Sequence, residues 1–363
     1  MDLEFSTFQA AQDLDRQRDL FLDCFPETKG TSVAAKEHYH WKFHNFPAHP
    51  SSYEYLAQKG TEFYGYYAAL PYRYKIGSEE LVAAMVCDVM THSKSRGKGI
   101  FTKLGRYATD RLKESGLHFT TGYPIRPEVI PGHLKVGWDI AQELPMYVSP
   151  IRLDDYLKKF NLVFLSPIFV FLVSIFHFFI DLLHLPVLIG DSNYRIQLAT
   201  KEEFLAQPEL ALFIQNWSSE IENCLIKSKD FLQWRLSAPS TKYQFFLLSH
   251  QEVLVGVCIA RMASLKSIST LALLDFMILN AHRKRSYLLV RAIKQYARSN
   301  KVNLIAIMTS RYIAGRYRLL RAGFLRSPVV FKLIVKQLNF SKNKTEFYDE
   351  KKWHLSWIDT DDL

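Results

Sequence analysis

Lys94-Ser-Arg96-Gly97-Lys98-Gly99 brings three cations and two glycines into six residues, a composition suited to holding a diphosphate. Glycines at this spacing let the backbone approach a ligand with no side chain in the way. If a helix starts just after them, its first amides and its dipole favour an anion at the same spot. Two better-known phosphate cradles are excluded. A dinucleotide fingerprint needs G-x-G-x-x-G with an acid about 20 residues later, and a P-loop needs Gly-Lys-Ser/Thr. Neither is present here.

The elements that must position this turn are legible on both sides. Leu81-Val-Ala-Ala-Met-Val-Cys-Asp-Val-Met90 reads as a mostly buried strand. From Ile100 to Glu114 the apolar residues Leu104, Ala108 and Leu112 share one helical face, and Gly116 can cap that helix. A second strand is expected at His118 to Tyr123, then a short helical stretch ending in Lys135-Val-Gly137-Trp138, then a third strand near Gln142 to Val148. This order, with the Lys94-x-x-Gly97-x-Gly99 string, resembles the GNAT family of acyl-CoA N-acyltransferases over roughly residues 20 to 148.

The resemblance implies an α/β fold with a mixed α+β sheet, acetyl-CoA as co-substrate, no metal, and acyl transfer to an amine. It implies that an amide of the first strand, at Val89 or Met90, meets the thioester carbonyl. It assigns the diphosphate to the amides of Arg96, Gly97, Lys98, Gly99, Ile100 and Phe101, with Lys94 close by. Direct attack also needs a base for the amine and a proton donor for the departing thiolate. Asp88 is the only acid on the strand and is a candidate base. The family's proton donor is a tyrosine four residues before the closing glycine, where this chain has His133. Histidine can donate near neutral pH; Tyr123 and Tyr147 are the alternatives.

The second half repeats the first in degraded form. Trp41-Lys-Phe, Pro47, Tyr53-Glu-Tyr55 and Gly65 are echoed by Trp234-Arg-Leu, Pro239, Tyr243-Gln-Phe245 and Gly256. Asp88-Val-Met90 precedes Arg96 as Asp275-Phe-Met277 precedes Arg283, and Gly137-Trp138 and Gly323-Phe324 close the two units. This is a repeat of domain size. The alignment sets Lys284 against Gly97 and Ser286 against Gly99, which crowds the second turn. The expected organisation is a GNAT-like domain at 1–150, an apolar linker at 151–192, a degenerate GNAT-like domain at 193–340 and a tail at 341–363.

Asn161 to Ile180 carries no formal charge across 20 residues, long enough to span a bilayer. Pro167, Pro186, Asp181, His177 and His184 argue against a span, and so does the placement of two repeat units on opposite sides of a membrane. A helix in the membrane interface is preferred, with burial between the domains and a true span as the other placements. The net charge of +10 is localised: residues 276 to 345 hold 16 Lys and Arg and no acid. Such a field suits an anionic membrane surface or a phosphorylated ligand. Nucleic acid is not expected, because no binding motif accompanies the charge. Cys24, Cys87, Cys224 and Cys258 show no metal or disulfide spacing, and Met-Asp-Leu-Glu-Phe does not begin a signal peptide. The expectation is a cytoplasmic N-acetyltransferase, peripheral on the inner membrane face, acting on a small amine such as an amino sugar. The alternative is a non-catalytic acyl-CoA-binding or scaffold protein at that surface.

Overall fold

The computed structural model describes residues 3–190, 193–340 and 343–361. The first repeat forms β1 (Glu4–Thr7), α1 (Ala10–Cys24), α2 (Lys36–Tyr39), β2 (Tyr53–Lys59), β3 (Glu62–Ile76), β4 (Glu79–Thr91), α3 (Ile100–Glu114), β5 (Phe119–Gly122), α4 (Ile130–Lys135) and β6 (Asp139–Pro150). Then come α5 (Asp154–Lys159), α6 (Ser166–Leu183) and α7 (Leu185–Leu188). The second repeat forms β7 (Tyr194–Ala199), α8 (Lys201–Leu205), α9 (Leu210–Ser219), β8 (Asn223–Leu225), α10 (Lys229–Arg235), β9 (Tyr243–His250), β10 (Val253–Leu265), β11 (Ile268–Ile278), α11 (Ser286–Ser299), β12 (Leu304–Met308), α12 (Arg311–Arg316), β13 (Leu325–Gln337) and β14 (Trp353–His354).

The chain folds as two α/β units with mixed sheets, and the units interleave along the sequence. The first comprises Met1–Gln142, Leu225–Thr241 and Lys332–Asp349; the second comprises Glu143–Cys224, Lys242–Phe331 and Glu350–Leu363. In the first unit β1 to β4 pair antiparallel in order, β5 joins β4 in parallel, and Ile334–Gln337 of β13 runs antiparallel to β5. The second unit has the same plan. There β7, β9, β10 and β11 are antiparallel, β12 joins β11 in parallel, and Met146–Pro150 of β6 closes on β12. Each sheet is thus completed by the last strand of the other repeat.

Helix α3 buries Leu104, Ala108 and Leu112 against the first sheet, in a cluster with Tyr55, Tyr67, Val136, Trp138 and Ile334. Gly116 has φ +82° at the helix end, the left-handed conformation expected of its cap. Gly65 matters on the strand side: a Cβ there would lie 3.1 Å from Leu104 and 3.3 Å from Ile100, so its absence lets the start of α3 sit close on β3.

The apolar segment is helix α6, and it belongs to the second unit. Val163–Leu183 is long and apolar enough to cross a membrane, yet only 17% of its most apolar window is buried. One side is pinned by polar residues: His177 Nε2 lies 2.7 Å from the Pro150 carbonyl, the Tyr287 hydroxyl donates to Asp181 Oδ1 at 2.5 Å, and the His184 ring stacks on Tyr287 at 3.8 Å. Ile180 enters the second core beside these anchors. Residues 191 and 192, at the end of the expected linker, lie outside the described residues.

Candidate active site

The glycine turn leaves the end of β4 through a 3₁₀ turn, Ser93–Ser95, and enters α3. Asp23 of α1 clamps its start, accepting from the Ser93 amide and hydroxyl at 2.7 Å each. The His92 ring accepts from the Lys94 amide at 3.2 Å. Gly97 and Gly99 have φ of +79° and +74°, where an L side chain is strained, and a Cβ on either would meet no protein atom within 4 Å. Inside the turn the amides of Arg96 and Lys98 donate to the carbonyls of Ser93 and Ser95, each at 3.4 Å. Among the described residues the amides of Gly97, Gly99, Ile100 and Phe101 make no such bond. Lys94, Arg96 and Lys98 are exposed around them. Amides unbonded within the turn, at the head of a 15-residue helix and with three exposed cations around them, can hold an anionic group.

Next to the turn, β4 has an open edge. Its parallel pairing with β5 covers only Ala83–Met85, although β4 runs on to Thr91. Along that stretch Asp88 adopts φ +47° and the register against β3 shifts between Tyr66 and Ala68, so β4 bulges where β5 leaves it. Val89 and Met90 lie on this stretch, with backbone groups free of a strand on the β5 side.

The Asp88 carboxylate faces inward. Lys42 Nζ donates to its Oδ1 at 2.9 Å. Burial by itself raises the Asp88 pKa, but Lys42, with Arg18 behind it, outweighs burial and holds the carboxyl below its ordinary value. A carboxylate so firmly ionised is a weak base. Beside it, buried Glu54 accepts from Tyr39 at 2.7 Å, from Ser52 at 2.6 Å and from Tyr66, and burial pushes its carboxyl up. The sequence offered one clue to this cluster: Lys42 lies in Trp41-Lys-Phe, whose echo Trp234-Arg-Leu also carries a cation. Those two tryptophans stack in the first unit at 5.3 Å and 8°, and each indole N–H donates to the other's carbonyl at 2.8 Å.

The three candidate proton carriers occupy different places. His133 of α4 packs edge-on to Phe101 and to Trp138, each ring 4.9 Å away. Burial lowers its pKa to about 4, so at neutral pH it is a neutral imidazole and not the imidazolium that a general acid needs. Neighbouring Gly132 is required by the same packing, because a Cβ there would lie 2.6 Å from the Phe101 ring. Tyr147 lies on the half of β6 that pairs with β12 in the second unit, in the field of Arg326 and Arg311, with its pKa raised by burial. Tyr123 is in the first unit, directly after the last residue of β5, where β4 and β5 part.

The counterpart positions in the second unit are filled in. Asp275 is fully buried and accepts from Ser356 Oγ at 3.3 Å, and His354 Nε2 lies 2.8 Å from it. Asp88 at the equivalent strand position is partly exposed and pairs with Lys42. Where the first unit has two glycines, the second has a 3₁₀ turn, Asn280–Arg285, running straight into α11, with Ser286 buried and its hydroxyl on the Tyr317 carbonyl. Among the described residues no three His, Cys, Asp or Glu side chains gather as a metal site.

Residues 8–141 match the acetyltransferase (GNAT) domain family. No curated protein matches the sequence. Among solved structures, the fold is similar to a GCN5-related N-acetyltransferase from Anabaena variabilis ATCC 29413, with a TM-score of 0.64 at 12% identity over 93% of this chain and 73% of that one. A conserved protein from Enterococcus faecalis V583, described as a probable N-acyltransferase, gives 0.64 at 10% identity with the same coverage. A tandem GNAT protein from the clavulanic acid biosynthesis pathway gives 0.57 at 14% identity over 94% of this chain and 100% of that one. Residues 8–141 thus match the GNAT domain model, and the chain as a whole has the fold of a tandem GNAT protein.

Proposed function

We propose that the first unit transfers an acyl group, most simply acetyl, from CoA to the amine of a small acceptor such as an amino sugar. The observation that carries this is the turn at Gly97 and Gly99, with its free amides beside the open edge of β4. When bound there, acyl-CoA supplies the activated thioester. An amide at Val89 or Met90 meets the carbonyl oxygen as the neutral amine attacks its carbon and forms the C–N bond; the C–S bond breaks, the thiolate takes a proton from the enzyme, and the amine nitrogen gives up its own proton to water. Lys42-bound Asp88 holds the bulge that aims those amides, and its low proton affinity makes it a poor base. Tyr123, at the fork of β4 and β5, is the proton donor that this arrangement supports in place of His133. Thiol release from acetyl-CoA over a panel of amines tests the activity. Release with none of them, in a chain that binds CoA, leaves the non-catalytic acyl-CoA-binding alternative, which the low pKa of His133 favours.

We propose also that α6 lies flat in the interface of an anionic membrane, on the cytoplasmic face. Phe164, Ile168, Phe171, Leu172, Ile175, Phe178, Phe179 and Leu182 are all exposed and recur every three to four residues, which makes one outward stripe. The opposite side is held by His177, Asp181 and His184. A helix with one side docked on protein and the other bare and apolar suits an interface better than a span. Cations lie beside it: Lys158 and Lys159 on α5, and Arg291 and Arg298 on α11, whose fields reach Tyr287 under α6.

A further inference from the structure

From a cleft in the second unit we infer a second anion site, in which Arg283, Lys284, Arg311, Arg316 and Arg318 take a phosphoryl or pyrophosphoryl group of a ligand other than the acyl donor. The cleft has a volume of about 390 Å³ and lies between the turn that leads into α11 and helix α12. Five cations face one space, and among the described residues none is in an ion pair. Packing like charges this closely costs energy at every pair, and a bound anion of charge −2 or more relieves it. Guanidinium groups are suited to the work because each can grip two phosphate oxygens at once.

The cleft is shaped for a ligand. Arg316 is held by Nη2 donating to Asn280 Oδ1 at 2.6 Å, while its Nε is buried with no partner among the described residues. Gly315 leaves the wall open, since a Cβ there would meet nothing within 4 Å, and Tyr312 supplies an aromatic surface. Glu220 approaches the turn, but it is occupied in accepting from the Asn280 amide at 2.7 Å. The acyl donor is a poor fit. Its diphosphate in the first unit relies on glycine amides, whereas here Lys284 and buried Ser286 fill that position and side chains do the binding.

The test is calorimetric titration of inorganic pyrophosphate into the full chain already saturated with CoA. CoA heat measured beforehand reports the first unit separately, so failure of the acyl-CoA assignment shows there and leaves the cleft testable. The expected result is one pyrophosphate per chain, with affinity at least tenfold weaker in Arg311→Ala/Arg316→Ala. Lys201→Ala/Lys242→Ala removes the same charge elsewhere in the second unit and should retain binding; matching thermal melts exclude misfolding. No binding, or equal losses in both double variants, overturns the site. Flotation with phosphatidic acid vesicles distinguishes sources. Using a chain with Phe164, Phe171 and Phe178 replaced by serine, binding displaced by pyrophosphate identifies a lipid headgroup as ligand. Pyrophosphate binding without vesicle binding identifies a soluble phosphorylated compound.

Discussion

At the residue scale the proposed chemistry turns on Gly97, Gly99 and Tyr123, with His133 left to stability. Gly97→Glu or Gly99→Glu places a carboxylate where the diphosphate belongs, and the left-handed φ adds strain of about 1 to 2 kcal/mol. CoA affinity should fall at least a hundredfold by calorimetry in a chain that still melts cooperatively, and unchanged affinity would remove the cofactor assignment. Tyr123→Phe should lower kcat by roughly 10² or more, the range for a lost general acid, with CoA affinity intact. His133→Leu should leave the pH dependence of kcat in place, because a group with a pKa of about 4 is not the acid at neutral pH. His133 acts on stability instead. It is neutral in the fold down to about pH 4, while the unfolded chain takes up its proton below about 6.5, so its contribution is whole above 6.5 and is lost as pH falls to 4. His38, lowered to about 4 by burial and by Lys42, adds to the same loss. At about 1.4 kcal/mol per pKa unit, His133 accounts for on the order of 3 kcal/mol. The melting temperature should therefore drop between pH 6.5 and 4, and less steeply in His133→Leu.

Strands and helices were legible wherever one period dominated. Helix α3 could be read from Leu104, Ala108 and Leu112, and β4 from its apolar run, because a local pattern fixes which face is buried. The glycine turn was legible because only glycine suits those two φ angles. What stayed hidden is non-local. Nothing near Asp88 announces Lys42, which comes from 46 residues away, or the tyrosines that bond Glu54. The burial that strips His133 of its proton depends on Phe101 and Trp138 closing around it. The reciprocal contact of Trp41 with Trp234 joins segments 193 residues apart, and only their shared motif hinted at it. That contact is testable: Trp41→Ala or Trp234→Ala should each cost about 3 to 5 kcal/mol in urea denaturation of the full chain. The double variant should cost less than the sum, because both singles remove the same stack and leave the other's carbonyl unbonded. Strict additivity would mean that the pair is only two separate core residues.

Two copies of one plan make the chain, and they differ at the turn that leads into the crossover helix. Both keep the strand order, the crossover helix and an acid at the matching strand position; only the first has the glycines, and the second has five cations around its cleft and a bare apolar helix. Sequence spacing revealed the repeat but not the closure of each sheet by the other repeat's last strand, since strand partners are chosen by tertiary packing. The same packing shows which aromatic residues of the apolar segment Val163–Leu183 face out. Phe176 packs on the second core, whereas Phe164, Phe171 and Phe178 are exposed. Their stripe supplies apolar area, and each lysine or arginine that reaches an anionic surface adds roughly 1 kcal/mol. Salt screens the second contribution and leaves the first. Binding to anionic vesicles should accordingly weaken with salt without vanishing, and serine at Phe164, Phe171 and Phe178 should make it fully salt-reversible. Phe176→Ser should instead lower the melting temperature. A wild-type chain that ignores anionic vesicles at low salt and runs as a monomer without detergent would show that the stripe meets no membrane.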